Sequence, residues 1–245
     1  MKLHIIGTGS TGNGYILQAE RSALIIEAGM PYAAARKALK FNHRKIDGLI
    51  ASHVHIDHFG RVSEYIKFGV NVYSSHEAFV HSGLSTSHRA KPLTEGVKTE
   101  IGEFTVLPFD LVHDVKNYGY LIHHEEMGLC CFITDTHYSP FVFPGLNNII
   151  VESNYSAHLL EQRVESGSLH YKLAERVRQS HMADTTMVNF LKANDLSMVN
   201  NIVLIHLSSG NADALDMVQK VINATGRTPI IASKGMEIEF NKQSF

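Results

Sequence analysis

Three histidines and an aspartate fall within six residues of one stretch, Ser52-His53-Val54-His55-Ile56-Asp57-His58-Phe59-Gly60. Imidazole nitrogen and carboxylate oxygen suit zinc and similar divalent cations. His53 and His55 are two residues apart, so on an extended segment they point the same way. Asp57 and His58 follow at a turn, where the chain can swing them toward a second point. One such loop can seed two adjacent metal positions. The bland alternative is a histidine-rich surface turn.

Chemistry at such a loop needs a scaffold to aim it. The apolar Gly48-Leu49-Ile50-Ala51 just before it reads as a buried strand, and residues 60–66 just after it as the start of a helix. The cluster then sits on a loop leaving a strand end. Upstream, strands at 3–6, 15–18 and 23–26 open the chain as a meander. The first ends in Gly7-Thr8-Gly9-Ser10-Thr11-Gly12-Asn13-Gly14, which is either a backbone able to approach a ligand or a tight hairpin.

A helix is expected at 31–40, another at 61–68, a strand at 70–73 and a short helix at 76–80. Residues 82–96 are polar and read as a mobile surface loop. His76, His81 and His88 lack ligand spacing and read as surface residues. Strands follow at 105–109, 118–122, 129–133, 148–152 and 201–205. Residues 155–195 are helical by pattern and carry Arg163, Lys172, Arg176 and Arg178, which composition alone assigns to a solvated face. A stretch at 180–185 reads as a helix start with Ser180 or Asp184 as cap. A helix at 212–224 and strands at 229–232 and 236–240 close the chain. No repeat or dividing linker is visible, so one domain over residues 1–245 is expected.

Composition bounds the function. The chain has 245 residues, 44% hydrophobic and 19% charged, as in an ordinary globular protein. Its net charge of −2 gives no whole-protein basic signal for nucleic acid. Sixteen histidines is a high count and invites a metal reading. Cys130 and Cys131 are neighbours in an apolar run and point to opposite faces, so no disulfide joins them. No signal peptide or run of membrane length is visible, and a reducing cytoplasm is the expected setting.

His-x-His-x-Asp-His after a short apolar strand resembles the signature of the metallo-β-lactamase-fold hydrolases. That resemblance implies an α/β fold, a four-layer αβ/βα sandwich of two mixed sheets flanked by helices, with the site at one edge. It implies three further ligands, and His113, Asp135 and His206 stand in the expected order beside strand ends. By this analogy His53, His55 and His113 hold one metal, Asp57, His58 and His206 the other, and Asp135 bridges them. Zinc is the expected ion, with manganese as the alternative. Glu27 falls where the family has an aspartate steadying the metal loop. It is one methylene longer and reads either as that group or as a plain turn residue. Asp114 is placed to orient the His113 ring.

Matches beyond the ligands, at Gly9–Asn13, Val112-His113-Asp114, Thr134-Asp135-Thr136, Glu152-Ser153-Asn154-Tyr155 and His206-Leu207-Ser208-Ser209-Gly210-Asn211, resemble the YycJ-like (WalJ) group, which is associated with DNA exonuclease activity. The resemblance spans nearly the whole chain and is looser at 180–184. It implies a phosphodiesterase acting on DNA or RNA, in which two cations lower the pKa of a bridging water and the resulting hydroxide attacks phosphorus. Asp57 and Asp135 are then catalytic. His181 is the candidate proton donor to the leaving oxygen, or else a structural helix-cap histidine. Ser10, Asn13, Ser209 and Asn211 are candidate phosphate contacts. The competing readings are a small-molecule hydrolase, acting on a cyclic phosphodiester, lactone, thioester or β-lactam, and a non-enzymatic binding protein. The complete ligand set argues against the last.

Overall fold

The computed structural model describes residues 1–243. Strands β1 (Lys2–Gly7), β2 (Gly14–Gln18) and β3 (Ala23–Ile26) run antiparallel as a meander. Helix α1 (Tyr32–Ala38) follows, with Pro31 at its cap position. Then come β4 (Ile46–Ile50), the short α2 (Ile56–Phe59) inside the histidine loop, α3 (Val62–Lys67), β5 (Val72–Ser74), α4 (His76–His81) and β6 (Ala90–Pro92). The second half runs through β7 (Thr99–Ile101), β8 (Phe104–Leu111), β9 (Asn117–His124), β10 (Gly128–Ile133) and β11 (Leu146–Glu152). It continues with α5 (Ala157–Glu165), α6 (Tyr171–Ser180), α7 (Asp184–Ala193), β12 (Asn201–Ile205), α8 (Ala214–Thr225), β13 (Ile230–Ile231) and β14 (Glu237–Glu239).

The strands form two seven-stranded sheets, ordered β14-β1-β2-β3-β4-β5-β6 and β13-β12-β11-β10-β9-β8-β7. Each is antiparallel at one side and parallel at the other, so both are mixed, as the resemblance implied. The cores show the layering. One apolar cluster lies between the sheets, with Leu3, Tyr15, Leu24 and Ile50 from the first meeting Phe104, Tyr120, Phe132 and Val203 from the second. A second packs the first sheet against α1 and α3 through Ile25, Leu49, Ala35 and Tyr65. A third packs the second sheet against α7 and α8 through Ile149, Leu204, Met187 and Val221. The central strands β2, β3 and β11 are therefore buried on both faces rather than alternating.

The polar stretch at 82–96 is not a simple loop. It supplies edge strand β6, paired in parallel with β5 at Val72↔Ala90 and Ser74↔Pro92. An edge position tolerates Pro92, and the next residue, Leu93, is buried between the sheets. The stretch at 180–185 does start a helix, α7, but neither Ser180 nor Asp184 caps it. Ala183 occupies the cap position, while the Asp184 carboxylate accepts from the Ala157 and Thr185 amides.

Several bonds tie the root of the histidine loop to the rest of the sandwich. The Tyr120 hydroxyl donates to the Ala51 carbonyl at 2.7 Å, and the Tyr118 amide to the Ser52 carbonyl at 3.0 Å. On the other side the glycine-rich turn docks directly. The Asn13 amide donates to the Asp57 carbonyl at 2.7 Å, and the Gly29 amide to the Asn13 carbonyl at 2.9 Å. This crossing leaves no room at Gly29, where an added Cβ would stand 1.9 Å from the Asp57 carbonyl oxygen. Gly29→Ala must push the two backbones apart. It is expected to cost about 1–3 kcal/mol of stability, as overpacking does, and to lower metal content. Urea denaturation and metal analysis of the purified variant check both.

Candidate metal centre

The site gathers at the carboxyl ends of strands, the usual place for ligands in sheets with parallel strands. Glu27 follows β3, His53 to His58 follow β4, Asp135 follows β10, Glu152 ends β11 and His206 follows β12. His113 and Asp114 come from the β8–β9 connection. Glu27, Asp135 and His206 are also three of the few non-glycine residues with positive φ, at 70°, 48° and 57°. Side chains rarely adopt that backbone, so these strand ends are bent to aim their groups.

Three overlapping groups of donors result. His53, His55, His113 and Asp135 offer ligand atoms within 4.8 Å of one another, and so do Asp57, His58, Asp135 and His206. The third, Asp135, Glu152, His181 and His206, shares two members with the second and continues behind it. Asp135 is common to all three. Its Oδ2 lies 3.3 Å from His58 Nε2 and 3.6 Å from His53 Nε2, and its Oδ1 lies 3.4 Å from His206 Nδ1. Asp57 Oδ2 lies 3.3 Å from both His58 Nε2 and His206 Nε2. His113 Nε2 is 3.3 Å from His55 Nδ1. The half-exposed Asp114 stands over this pair, 3.1 Å from His113 Nε2 and 3.4 Å from His55 Nε2.

The protonation pattern follows from burial and neighbours. Burial, reinforced by the charge on His58, pushes His53 well below its ordinary value and keeps its lone pair free. Burial opposes charge on His58 too, but Asp135 and Glu27 overcome it and raise the ring well above its usual value. His206 is likewise desolvated, yet Asp135, Asp57 and Glu152 hold it up at about 10. Burial would raise the carboxyls of Asp57 and Asp135, but the surrounding imidazoles take both well below the usual carboxylate range.

This donor set fits divalent cations. Ser52 Oγ engages His53 Nδ1 at 2.9 Å, which leaves Nε2 buried with no hydrogen-bond partner. His58 Nδ1 and His113 Nδ1 are buried without partners as well. Unpaired buried nitrogens are costly and uncommon. A cation would satisfy His53 Nε2, and its charge would replace the protons that the carboxylates otherwise hold on His58 and His206.

Groups behind the ligands fix them. Glu27 is fully buried and accepts from the Ser52 amide at 3.3 Å, with Oε1 3.5 Å from His58 Nδ1. It therefore braces the histidine loop and is more than a turn residue. Asn13 is also buried. Its Nδ2 lies 3.0 Å from His58 Nε2, and its oxygen accepts from the Gly9 amide and the Tyr15 hydroxyl. That places it behind the site and removes it from the cleft, contrary to the phosphate contact expected from sequence.

Glu152 had no role assigned from sequence. It is fully buried, and its Oε1 meets His181 Nδ1 at 2.7 Å and His206 Nδ1 at 3.0 Å. Its Oε2 accepts from the Thr136 and Met182 amides at 3.2 Å. The same feature that drew attention to Asp135, a carboxylate closing an apolar strand, was present at Glu152. His181 closes α6, where its amide donates to the Val177 carbonyl, and its side chain reaches the site. Burial disfavours its charge, but Glu152 raises its pKa. With Nδ1 held by Glu152, Nε2 is the nitrogen left for other partners.

A cleft of about 400 Å³ opens over the cluster. His55, Asp57, His113, Asp114, Asp135 and His206 form its floor, and His181, Ser180, Val177, Arg176 and Leu173 one wall. Ser10, Asn154, Leu207, Ser208 and Asn211 complete it. Ser10 and Asn211 thus line the cleft. Ser208, rather than the exposed Ser209, faces the cleft, because the turn at 207–211 points Ser209 outward.

Fold and site together define a metal-dependent hydrolase. The family model of the metallo-beta-lactamase superfamily matches residues 7–145, more than half of the chain, and the chain belongs to that superfamily. It is 22% identical over 190 residues to the exodeoxyribonuclease WalJ of Streptococcus pneumoniae, covering 72% of this chain and 69% of that one. It is 26% identical over 175 residues to the exodeoxyribonuclease YycJ of Bacillus anthracis, covering 65% and 66%. Its fold is similar to that of the metallo-beta-lactamase fold protein YhfI of Bacillus subtilis, with a TM-score of 0.73 at 20% identity over 97% of this chain and 99% of that one.

The site's electrostatics predict how stability depends on pH. His206 has a folded pKa of about 10 against about 6.5 unfolded. Its stabilising contribution is complete below about 6.5 and lost as pH rises through 10. Asp57 and Asp135 act in the opposite sense, stabilising above about 4 and losing that contribution as pH falls. Metal-stripped protein is therefore expected to lose melting temperature steadily from pH 7 to 10. Metal-loaded protein, with its imidazoles already neutral, should lose much less. Thermal melts with and without chelator across that window test the difference.

Proposed function

We propose that this chain is a nuclease, a dinuclear-metal phosphodiesterase that cleaves DNA. The observation that carries this reading is the pair of donor groups sharing Asp135 on the floor of an open cleft. Similarity to two proteins named exodeoxyribonucleases supports nucleic acid as the substrate.

His53, His55 and His113 would hold one cation and Asp57, His58 and His206 the other, with Asp135 shared. An imidazole-rich set with carboxylates suits zinc, with manganese as the alternative. When bound, the two cations supply the Lewis acidity that ionises water near neutrality and offsets charge at phosphorus. The protein's own part is orientation and proton handling. Asp135 positions both donor groups from the middle of the floor. Glu27 and Asn13 keep the histidine loop in place from behind. Glu152 fixes His181 through Nδ1, and His181 Nε2 delivers a proton to the leaving oxygen.

The first test is hydrolysis of end-labelled single- and double-stranded DNA and RNA with zinc or manganese, beside a variant carrying Asp57→Ala and His58→Ala. Metal-dependent cleavage absent from the variant is expected, and the product ladder gives polarity. If the metal-loaded protein leaves every strand intact, nucleic acid is not the substrate. A second test separates His181 from the ligands. His181→Ala should lower kcat by about 10²-fold or more, as loss of a general acid does, while metal content stays within twofold. Unchanged turnover would remove it from the mechanism.

A further inference from the structure

Helix α6 lays one face over the cleft. Leu173, Arg176, Val177 and Ser180 all line it, at i, i+3, i+4 and i+7. On its buried side Ala174 packs with Leu160 and Leu169 in a small core beside the sandwich. The helix then ends at His181.

Four cations stood out on the segment 155–195, and the structure separates them. Arg163 donates to the Gly210 carbonyl at 2.7 Å and to Asn211 Oδ1 at 2.6 Å. Arg178 pairs with Glu161 at 2.7 Å and Glu175 at 3.2 Å. Lys172 does not line the cleft. Arg176 does, and among the described residues it makes no ion pair or hydrogen bond. It is the one Lys or Arg side chain there, and its charge is left for a ligand.

Resting on the nuclease reading, we propose that Arg176 grips the phosphodiester adjacent to the scissile one, while Leu173 gives that nucleotide an apolar wall. The guanidinium fork matches two phosphate oxygens. Leu173 keeps half its surface in water beside that cation, as an apolar contact for a sugar or base would. One phosphate grip also explains how a chain of net charge −2 can process a polyanion. It needs to hold only the nucleotide next to the cut, and its binding then depends weakly on salt.

The test compares wild type with Arg176→Gln and Arg176→Lys on single-stranded oligodeoxynucleotides with a single defined cleavage position. In matched substrates, one diester flanking that position, on either side, is replaced by neutral methylphosphonate. In wild type, neutralising the gripped diester should raise KM about tenfold, as loss of a charge-assisted hydrogen bond does. Arg176→Gln should raise KM for the natural strand by a similar factor and no longer distinguish the two substrates. Its log KM against log salt should flatten by about one, and Arg176→Lys should restore part of the discrimination. An Arg176→Gln enzyme that still discriminates, or a wild type indifferent to methylphosphonate on both sides, overturns the grip and leaves the nuclease reading standing. A wild type that cleaves no nucleic acid overturns the reading and the grip together.

Discussion

The Asp135 carboxylate faces His53, His58 and His206 at once, at 3.3–3.6 Å. These partners come from both sheets, so this contact joins the two halves of the sandwich chemically as well as spatially. Without it the donor groups would lose the one carboxylate they share. Burying so many imidazoles and carboxylates at one edge is unfavourable unless their charges are matched. Much of the surrounding structure serves that matching. Glu27 and Glu152 lie fully buried behind the histidines, and backbone amides of Ser52, Thr136 and Met182 hold those two carboxylates in turn.

This dependence explains where sequence was informative. The histidine loop declared itself because ligand types at short spacing on one strand-end loop are rarely accidental. Asp135 and His206 were legible for a related reason, since each closes an apolar strand. The paired sheets and outer helices followed from the resemblance and from the apolar runs, and the core clusters bear them out.

The residues that were not legible act through contacts that spacing does not encode. Glu152 lies 54 positions from His206 in sequence and 3.0 Å from it in space. Asn13 looked like a ligand contact because glycines surround it, yet those glycines let it tuck beneath His58 rather than face solvent. Strand β6 was hidden by polar composition, since an edge strand of three residues needs little apolar content. Arg176 and Arg178 were indistinguishable on paper, and only the positions of Glu161 and Glu175 separate them.

The pairing of β14 with β1 has a consequence for how the molecule comes into being. Leu3 pairs with Ile238, so β1 completes its sheet only when the distant β14 is present. His206, too, emerges long after the histidine loop. Contacts this distant form slowly, after the chain between them has been synthesised. A half-made chain can hold a few imidazoles together, but it cannot assemble both donor groups or the wall of the cleft. The donor groups and the cleft over them therefore come together only once the chain has been made through β12 and β14, and no shorter intermediate carries them.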